Sequence, residues 1–440
     1  MGLHVWKDER DKPNIELLHD DRRNKNVIYG RRIDDPKIKV VKVGIAIPRP
    51  QNYIRVQQGK KVVEHEANSP VLNFYRRCIG QLGSVAGNID TNFELRKQDN
   101  TLYTGNYIIQ FGFGAATVNI ETTAGSGYCA DVNTDTYGIA LGTGETAWTE
   151  DDYTIKTLIQ QWTASGKLVY APTPTPIISY VDGVWTVLGR RVFDNFNADA
   201  NTITVKEVVQ FAPEWTSAYQ FSYIDERTVL NTPIAIPYKS GAVFTYTRTL
   251  TIPAITTLLP NGVNLLLQNA FGINLFQNDG TYGTGSKNIK TATGSVLQTG
   301  IHFPNRYAQP GNFFCPATAA VSGRGCCAGY SNTAVADGNY ELGSLFTHGN
   351  NENELAYQAQ DTPIAVYDSP SKTFTVTQSK VVTNNWNSQV VREIGLKHYR
   401  YVTNVTQSDI LINRTVLGSP ITLGTYESLA IIYELNMTHP

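Results

Sequence analysis

Arg227-Thr228-Val229-Leu230, with Pro233-Ile234 just beyond it, returns near the C-terminus as Arg414-Thr415-Val416-Leu417 with Pro420-Ile421. Each copy follows, about twenty residues on, a Val-basic-Glu-aliphatic step: Val205-Lys206-Glu207-Val208 and Val391-Arg392-Glu393-Ile394. From the arginine to a closing proline the copies have equal length, Arg227 to Pro253 and Arg414 to Pro440. A tyrosine (Tyr246, Tyr433) and a threonine (Thr251, Thr438) fall at matching places. Internal self-similarity decides an architecture before any local signal does. The residues around it are rich in Val, Ile, Thr and Tyr, which suit a pleated, half-buried surface. The expectation is a mainly β chain: two tandem related β-sandwich-like domains, each with a short helix, plus an extended N-terminal arm.

A chain of 440 residues exceeds one core and implies more than one domain. Charged residues make up 17% of the chain, below the usual quarter, and 24 tyrosines and 36 glycines stand in their place. That mixture suits sheets with many turns and surfaces that adhere through uncharged polar contacts. The formal net charge of −1 gives no bulk attraction to nucleic acid or to an anionic membrane. No apolar run approaches the ~20 residues that span a bilayer. Lys7-Asp8-Glu9-Arg10, with no apolar segment beside it, does not read as a secretory signal. The expectation is a protein made in a cytoplasm.

Five cysteines (Cys78, Cys129, Cys315, Cys326, Cys327) are an odd number at irregular spacing, a poor disulfide framework. Adjacent Cys326 and Cys327 bridge only with strain, and the C-x-x-C or nearby His spacing of a zinc site is missing. Small unbridged core or loop cysteines are the expectation.

Residues 1–43 differ from the rest. Of the 75 charged side chains, 25 lie within the first 66 residues, in sign-alternating pieces such as Asp20-Asp21-Arg22-Arg23 and Arg31-Arg32-Ile33-Asp34-Asp35. So little apolar material cannot build a core alone. The segment reads either as a solvated tail or as an arm that docks on a neighbouring subunit, with Arg22, Arg23, Arg31 and Arg32 as its assembly residues. The near balance of acidic and basic residues argues against a nucleic-acid arm. On that reading, deleting residues 1–43 leaves the β units folded and blocks assembly.

The first β domain is placed at 44–253. Asn68-Ser69-Pro70 is a helix start, and Val71, Leu72, Tyr75, Cys78, Ile79 and Leu82 form an apolar face at helical spacing, predicting a helix over 70–82. Strands are expected at 137–141, 167–170, 176–180, 184–193, 202–211 and 242–252. The second domain is placed at 254–440, with a counterpart helix at 263–271 and a long Gly/Asn/Thr-rich insertion at 275–335. Within each copy, Glu207 with Arg227 and Glu393 with Arg414 read as carboxylate–guanidinium pairs that fix strand register. A catalytic acid and electrophile is the alternative. Two identical pairs in tandem copies favour scaffold.

Gly142-Thr143-Gly144 lacks the Gly-Lys-Ser/Thr of a phosphate loop and reads as a turn. Asp131-x-Asn133-x-Asp135 opens like a calcium loop, but Thr136 and Gly142 occupy positions needing Gly and Glu. Glu64-His65-Glu66 puts the imidazole on the opposite strand face from both carboxylates. Seven scattered histidines give no nucleophile–base grouping. No catalytic, cofactor-binding or metal-binding residue is assigned, and no cofactor is expected. A glycosidase carboxylate pair stays open, because such pairs are spatial. Trp148, Trp162, Trp185, Trp215 and Trp386 are core or interface residues, or platforms for sugars.

Val62-Val63-Glu64-His65-Glu66 followed by Asn68-Ser69-Pro70-Val71-Leu72-Asn73-Phe74-Tyr75 resembles the passage that leads into a helix in virion proteins of tailed bacteriophages. Gly138 to Ile155, and Ile203 to Ile236 with its glutamate and Arg-Thr-Val-Leu, are similar to phage tail-associated β-domains. The resemblance covers residues 55–253 and, more faintly, 340–440; the second copy lacks the Glu-His-Glu strand. It implies a non-enzymatic structural component of the virion, in the tail, neck, baseplate or capsid surface. Such a component acts through assembly, with other virion proteins and further copies of itself as partners. The alternatives are a virion protein that binds a host receptor or surface glycan, and a polysaccharide-degrading tail enzyme.

Overall fold

The computed structural model describes residues 15–20, 27–32, 34–35, 37–76, 95–103, 135–136, 138–172, 177–181, 184–215, 220–251, 324–336, 339, 341–359, 363–401 and 407–440. The chain is mainly β. One sheet runs in the order β1 (Ile15–Asp20), β2 (Val27–Arg32), β3 (Ile38–Ile47), β22 (Ser428–Thr438), β19 (Thr373–Thr383), β17 (Glu354–Tyr357) and β16 (Thr347–His348), with β18 (Ile364–Asp368) also on β19. A second runs β10 (Ile177–Val181), β11 (Val184–Asp194), β14 (Gly241–Thr251), β4 (Gln51–Gln58) and β5 (Lys61–Glu66), with β9 (Val169–Tyr170) on β11. Two three-stranded sheets lie in the orders β13 (Gln220–Ile236), β12 (Ile203–Trp215), β8 (Gly138–Gly142) and β15 (Gly325–Gly329), β20 (Gln389–Tyr401), β21 (Gln407–Leu423). β6 (Leu95–Arg96) and β7 (Leu102–Tyr103) form a small ribbon.

Period-two patterning makes these strands. In β14, Ala242, Phe244, Tyr246, Arg248 and Leu250 point inward while Thr side chains alternate outward. In β19 the inward set is Phe374, Val376, Gln378, Lys380 and Val382. In β22 the alternation breaks: Leu429 to Tyr433 are all buried, because the strand has neighbours on both edges and cover on both faces.

The same arrangement occurs twice. β8–β12–β13 and β15–β20–β21 have matching strand lengths of 5, 13 and 17 residues, and β11–β14 matches β19–β22 at 11 and 11. Register shifts fall at equivalent steps, Val205/Glu207 and Val391/Glu393. Pro233 and Pro420 stand in the longer strands at those shifts. There a residue without an N–H interrupts no regular ladder, which explains the proline of the repeated motif.

In each unit a tyrosine ties the two sheets together. Tyr170 receives Leu141 N–H (3.2 Å) and donates to Ile159 O (2.6 Å); Tyr357 receives Ala328 N–H (3.1 Å) and donates to Phe346 O (3.0 Å). Each ring also carries a cation, Arg191 at 4.8 Å and Lys380 at 5.1 Å. Burial pushes the Tyr170 hydroxyl far above its usual range, so it stays a donor.

The N-terminal strands depart from expectation. The boundary expected at residue 43 runs through β3. That strand lies parallel to β22 over ten register pairs, from Ile38 with Ser428 to Ile47 with Met437. β2 pairs with β3 in turn. Val27, Tyr29, Val40, Val41 and Val43 are buried, so β2 and β3 belong to the chain's own core and do not form a separate docking arm. After Pro48-Arg49-Pro50 the chain turns to β4, which pairs with β14. Consecutive strands thus complete the sheet edges of both units. Of the four arm arginines, Arg31 and Arg32 lie in β2, where Arg32 bonds Asp34; Arg22 and Arg23 lie outside the described residues. The helix expected at 70–82 is seen as a helical turn over 72–76, with Val71, Phe74 and Tyr75 buried; 77–82 lie outside. So do 263–271 and residues 275–323 of the expected insertion, whose last residues include β15.

Candidate functional site

Glu207 and Arg227 sit on adjacent strands, diagonal across the ladder, since Glu207 is registered with Val229 and Arg227 with Val209. Glu393 and Arg414 take the same places, registered with Val416 and Gly395. Arg227 Nε donates to Glu207 Oε2 at 2.7 Å and Arg414 Nε to Glu393 Oε2 at 2.7 Å. All four side chains are buried.

The remaining nitrogens reach a loop that begins far upstream. Arg227 donates to Thr146 O (2.7 Å), Ala147 O (3.5 Å) and Asp152 Oδ2 (2.9 Å). Arg414 donates to Thr333 O (2.9 Å), Ala334 O (3.2 Å) and Asn339 Oδ1 (2.8 Å). The carboxylates hold the far limb of the same loops, and Glu207 the start of its loop as well. Glu207 accepts from Gly144 N (3.0 Å), Thr157 N (2.9 Å) and Lys156 N (3.3 Å), and Glu393 from Gly343 N (3.2 Å) and Ser344 N (2.9 Å). The arginines and most of their loop partners recur 187 residues on, as from Thr146 to Thr333 and from Thr157 to Ser344, the glutamates 186 residues on, and the Gly144 contact belongs to the first clasp.

The expected pair is therefore present, and its work is larger than fixing register. Each pair clasps a loop that leaves β8 or β15 and crosses the sheet. The glycine turn read at Gly142-Thr143-Gly144 is part of this clasp. A Cβ on Gly142 would stand 2.6 Å from Glu207 Oε1 and 2.7 Å from Thr157 O; on Gly329 it would stand 2.6 Å from Glu393 Oε1 and 2.6 Å from Ser344 O. Glycine is required by close approach, not by turn conformation.

The two clasps differ in charge. In the first, Asp152 also takes Lys156 Nζ at 2.8 Å, so two carboxylates meet two cations. Burial works to raise the Asp152 carboxyl, but hydrogen bonds from Lys156, Thr149 and Arg227 outweigh it and hold the group below the usual carboxylate range. In the second, Asn339 replaces Asp152 and Gly343 stands where Lys156 does, so one carboxylate meets one guanidinium. Both are neutral, as low-dielectric burial demands. Asp152→Asn, which leaves Lys156 able to turn to solvent, is expected to lower the melting temperature only slightly at pH 7. Asn339→Asp adds a buried charge with no second cation and lowers it by several degrees; differential scanning calorimetry of both variants checks this. The sign with pH follows. Asp152 binds its proton less tightly folded than unfolded, so its stabilisation holds above the unfolded pKa and is lost as pH falls through the folded value. Asp152→Asn therefore loses that component of acid sensitivity.

A second buried polar group belongs to the first unit. Asn52 Nδ2 donates to Glu226 Oε2, Arg248 Nε donates to Asn52 Oδ1 at 3.1 Å, and Arg248 lies 3.9 Å from Asp225 and 3.8 Å from Glu226. Burial pushes the Glu226 carboxyl up to about 8, against the pull of Arg248 and the Thr228 hydroxyl. In the second unit Asn413 and Leu435 occupy the corresponding positions, and Tyr433 donates to Asn413 Oδ1 at 2.8 Å. Both groups lie in the interior.

Sequence reasoning missed the loops that the arginines grip, although a signal was present. Thr146-Ala147 and Thr333-Ala334 repeat at the spacing of the arginines, as do Gly142 and Gly329. His65 is buried while Glu64 and Glu66 face out, as read. Cys326 and Cys327 are buried and in no disulfide, Cys327 Sγ donates to Gly395 O at 3.4 Å, and burial pushes the Cys327 thiol up to about 12. Among the described residues no group of His, Cys, Asp and Glu is placed to hold a metal ion, and no helix is long and apolar enough to cross a membrane. Cys78, Cys129, Cys315 and the Asp131 loop start lie outside the described residues. No family model, curated protein or solved structure matches the chain.

Proposed function

We propose that the chain is a non-enzymatic structural component of a tailed-phage virion, built from one β unit used twice, and that it acts by subunit–subunit assembly. The virion part of this reading rests on the resemblance of Val62 to Tyr75 and of Ile203 to Ile236 to phage virion proteins, and the observation that carries its non-enzymatic part is the saturation of the recurring charged pair. Glu207 and Arg227, with Glu393 and Arg414, spend their hydrogen-bonding capacity on the chain's own loops and on each other. A catalytic acid or electrophile needs reach to a substrate, and these groups are buried. The recurrence of strand lengths, register shifts and clasp at one spacing supports duplication of a scaffold. The polar outward faces, with threonines alternating outward along β14 and β19, suit wet interfaces among copies of the chain and with other virion proteins.

Peptide mass spectrometry with antibody labelling of purified particles tests the reading. The chain should be present in many symmetry-related copies, and the label should place it in the tail, neck, baseplate or capsid surface. Its absence from intact particles, with abundance in the lysate, overturns the assignment.

A further inference from the structure

One end of each unit carries exposed aromatic rings set among amides and hydroxyls. In the first unit three loops meet there: 161–167, 195–202 and the β13–β14 turn at 237–240. Ser165 Oγ bonds Asp199, Asn195 N donates to Ser240 O (2.9 Å) and Lys239 N to Asn195 O (2.8 Å). In the second unit, Asn385 Nδ2 donates to Asn350 Oδ1 (2.7 Å), Asn384 N to Glu427 O (2.9 Å) and Tyr426 N to Asn384 O (2.6 Å). A buried asparagine braces each end, Asn195 Nδ2 to Ile236 O (2.7 Å) and Asn384 Nδ2 to Leu423 O (2.8 Å). On these frames stand Trp162, Phe196 and Tyr238 in one unit and Trp386 and Tyr426 in the other, all exposed.

From these tips we infer a binding site for neutral polysaccharide, one at the end of each unit, with Trp162 and Trp386 as the principal stacking rings. Three observations converge on that ligand. Trp162 is 55% exposed at φ 141°, and Tyr426 is 72% exposed at φ 64°. Large side chains in a disfavoured backbone, gaining no burial, mark positions kept for contact. The surrounding loops, Gln161 to Lys167, Asn195 to Thr202, Gly349 to Asn353 and Asn384 to Ser388, contain no Val, Leu, Ile or Met. A protein-docking core gathers apolar side chains around its aromatics; here the rims are Asn, Ser, Thr and Asp. A pyranose presents apolar C–H faces that stack on rings and equatorial hydroxyls that pair with amides and carboxylates. Finally, exposed aromatics with amide rims occur at corresponding ends of both units, and two sites on one polymer bind by avidity.

Affinity electrophoresis of the full chain through gels carrying dextran, mannan or galactan tests this. At least one polymer should retard the chain. Trp162→Ala and Trp386→Ala should each weaken the apparent Kd at least tenfold, Trp386→Phe should restore most of it, and melting should stay unchanged. Unaltered mobility in all three gels overturns the inference, as does retardation that both alanine variants keep. Loss of self-association in the variants without any retardation would reassign the tips to protein contact and equally overturn it. The inference does not rest on the virion reading, because particle composition and polysaccharide retardation are separate measurements.

Discussion

Arg227→Ala and Arg414→Ala are each expected to cost about 3–5 kcal/mol of stability, the range for breaking a buried ion pair by removing one partner. The loss has three parts. A buried carboxylate, Glu207 or Glu393, is left without its cation. Two loop carbonyls, Thr146 and Ala147 or Thr333 and Ala334, lose their donor. A fourth partner, Asp152 or Asn339, loses its tie to the sheet. Lysine does not repair the site, because one ammonium cannot reach along three directions in the plane of a guanidinium. Arg227→Lys should therefore stay well below wild type. Chemical denaturation with the midpoint and slope fitted separately reads the result. Loss of assembly or binding with an unchanged midpoint would give these arginines a functional role and remove them from the scaffold.

How far this was legible in the sequence depends on the range of each interaction. Strands β11 and β14 follow from alternation, a local property, and the Glu–Arg pairing follows from recurrence. The clasped loops lie some eighty residues upstream of their arginines, and no local pattern states such a partnership. Only carrying the repeat spacing back to Thr146-Ala147 and Thr333-Ala334 exposes it. The charge difference between Asp152 and Asn339 stayed hidden for the same reason. Burial on β3 was legible as Ile38, Val40, Val41, Val43, Ile45 and Ile47, but alternation does not say which sheet a strand joins. The high charge of residues 1–43 suggested an arm outside the core. In β3 the charges find partners within the chain instead: Lys39 pairs with Glu427 at 2.7 Å, just before β22, and Lys42 with Glu434 at 2.5 Å, on β22. Charge density there marks a partner within the same chain.

That reversal sets the second large effect. Deleting residues 1–43 removes β1, β2 and more than half of β3, and with them the buried Val27, Tyr29, Val40, Val41 and Val43. Full burial of such a side chain is worth about 1.5–3 kcal/mol. Five together rival the roughly 5–15 kcal/mol by which a whole domain is stable. The deletion also strips β22 of its parallel partner, leaving a long apolar edge open to pairing with other chains. The truncated chain is expected to aggregate at working concentrations. At low concentration, amide exchange should lose protection across β18, β19 and β22 while β11 and β14, still covered by β4, keep theirs. Deleting residues 1–14, which precede β1 and all the described strands, leaves the β3–β22 ladder whole and should leave this exchange pattern unchanged. If the 1–43 deletion instead melts at the wild-type temperature and stays monomeric, the N-terminal strands are an accessory arm after all. The opposite is expected, because a strand supplying ten register pairs to a doubly buried neighbour is part of the fold it completes.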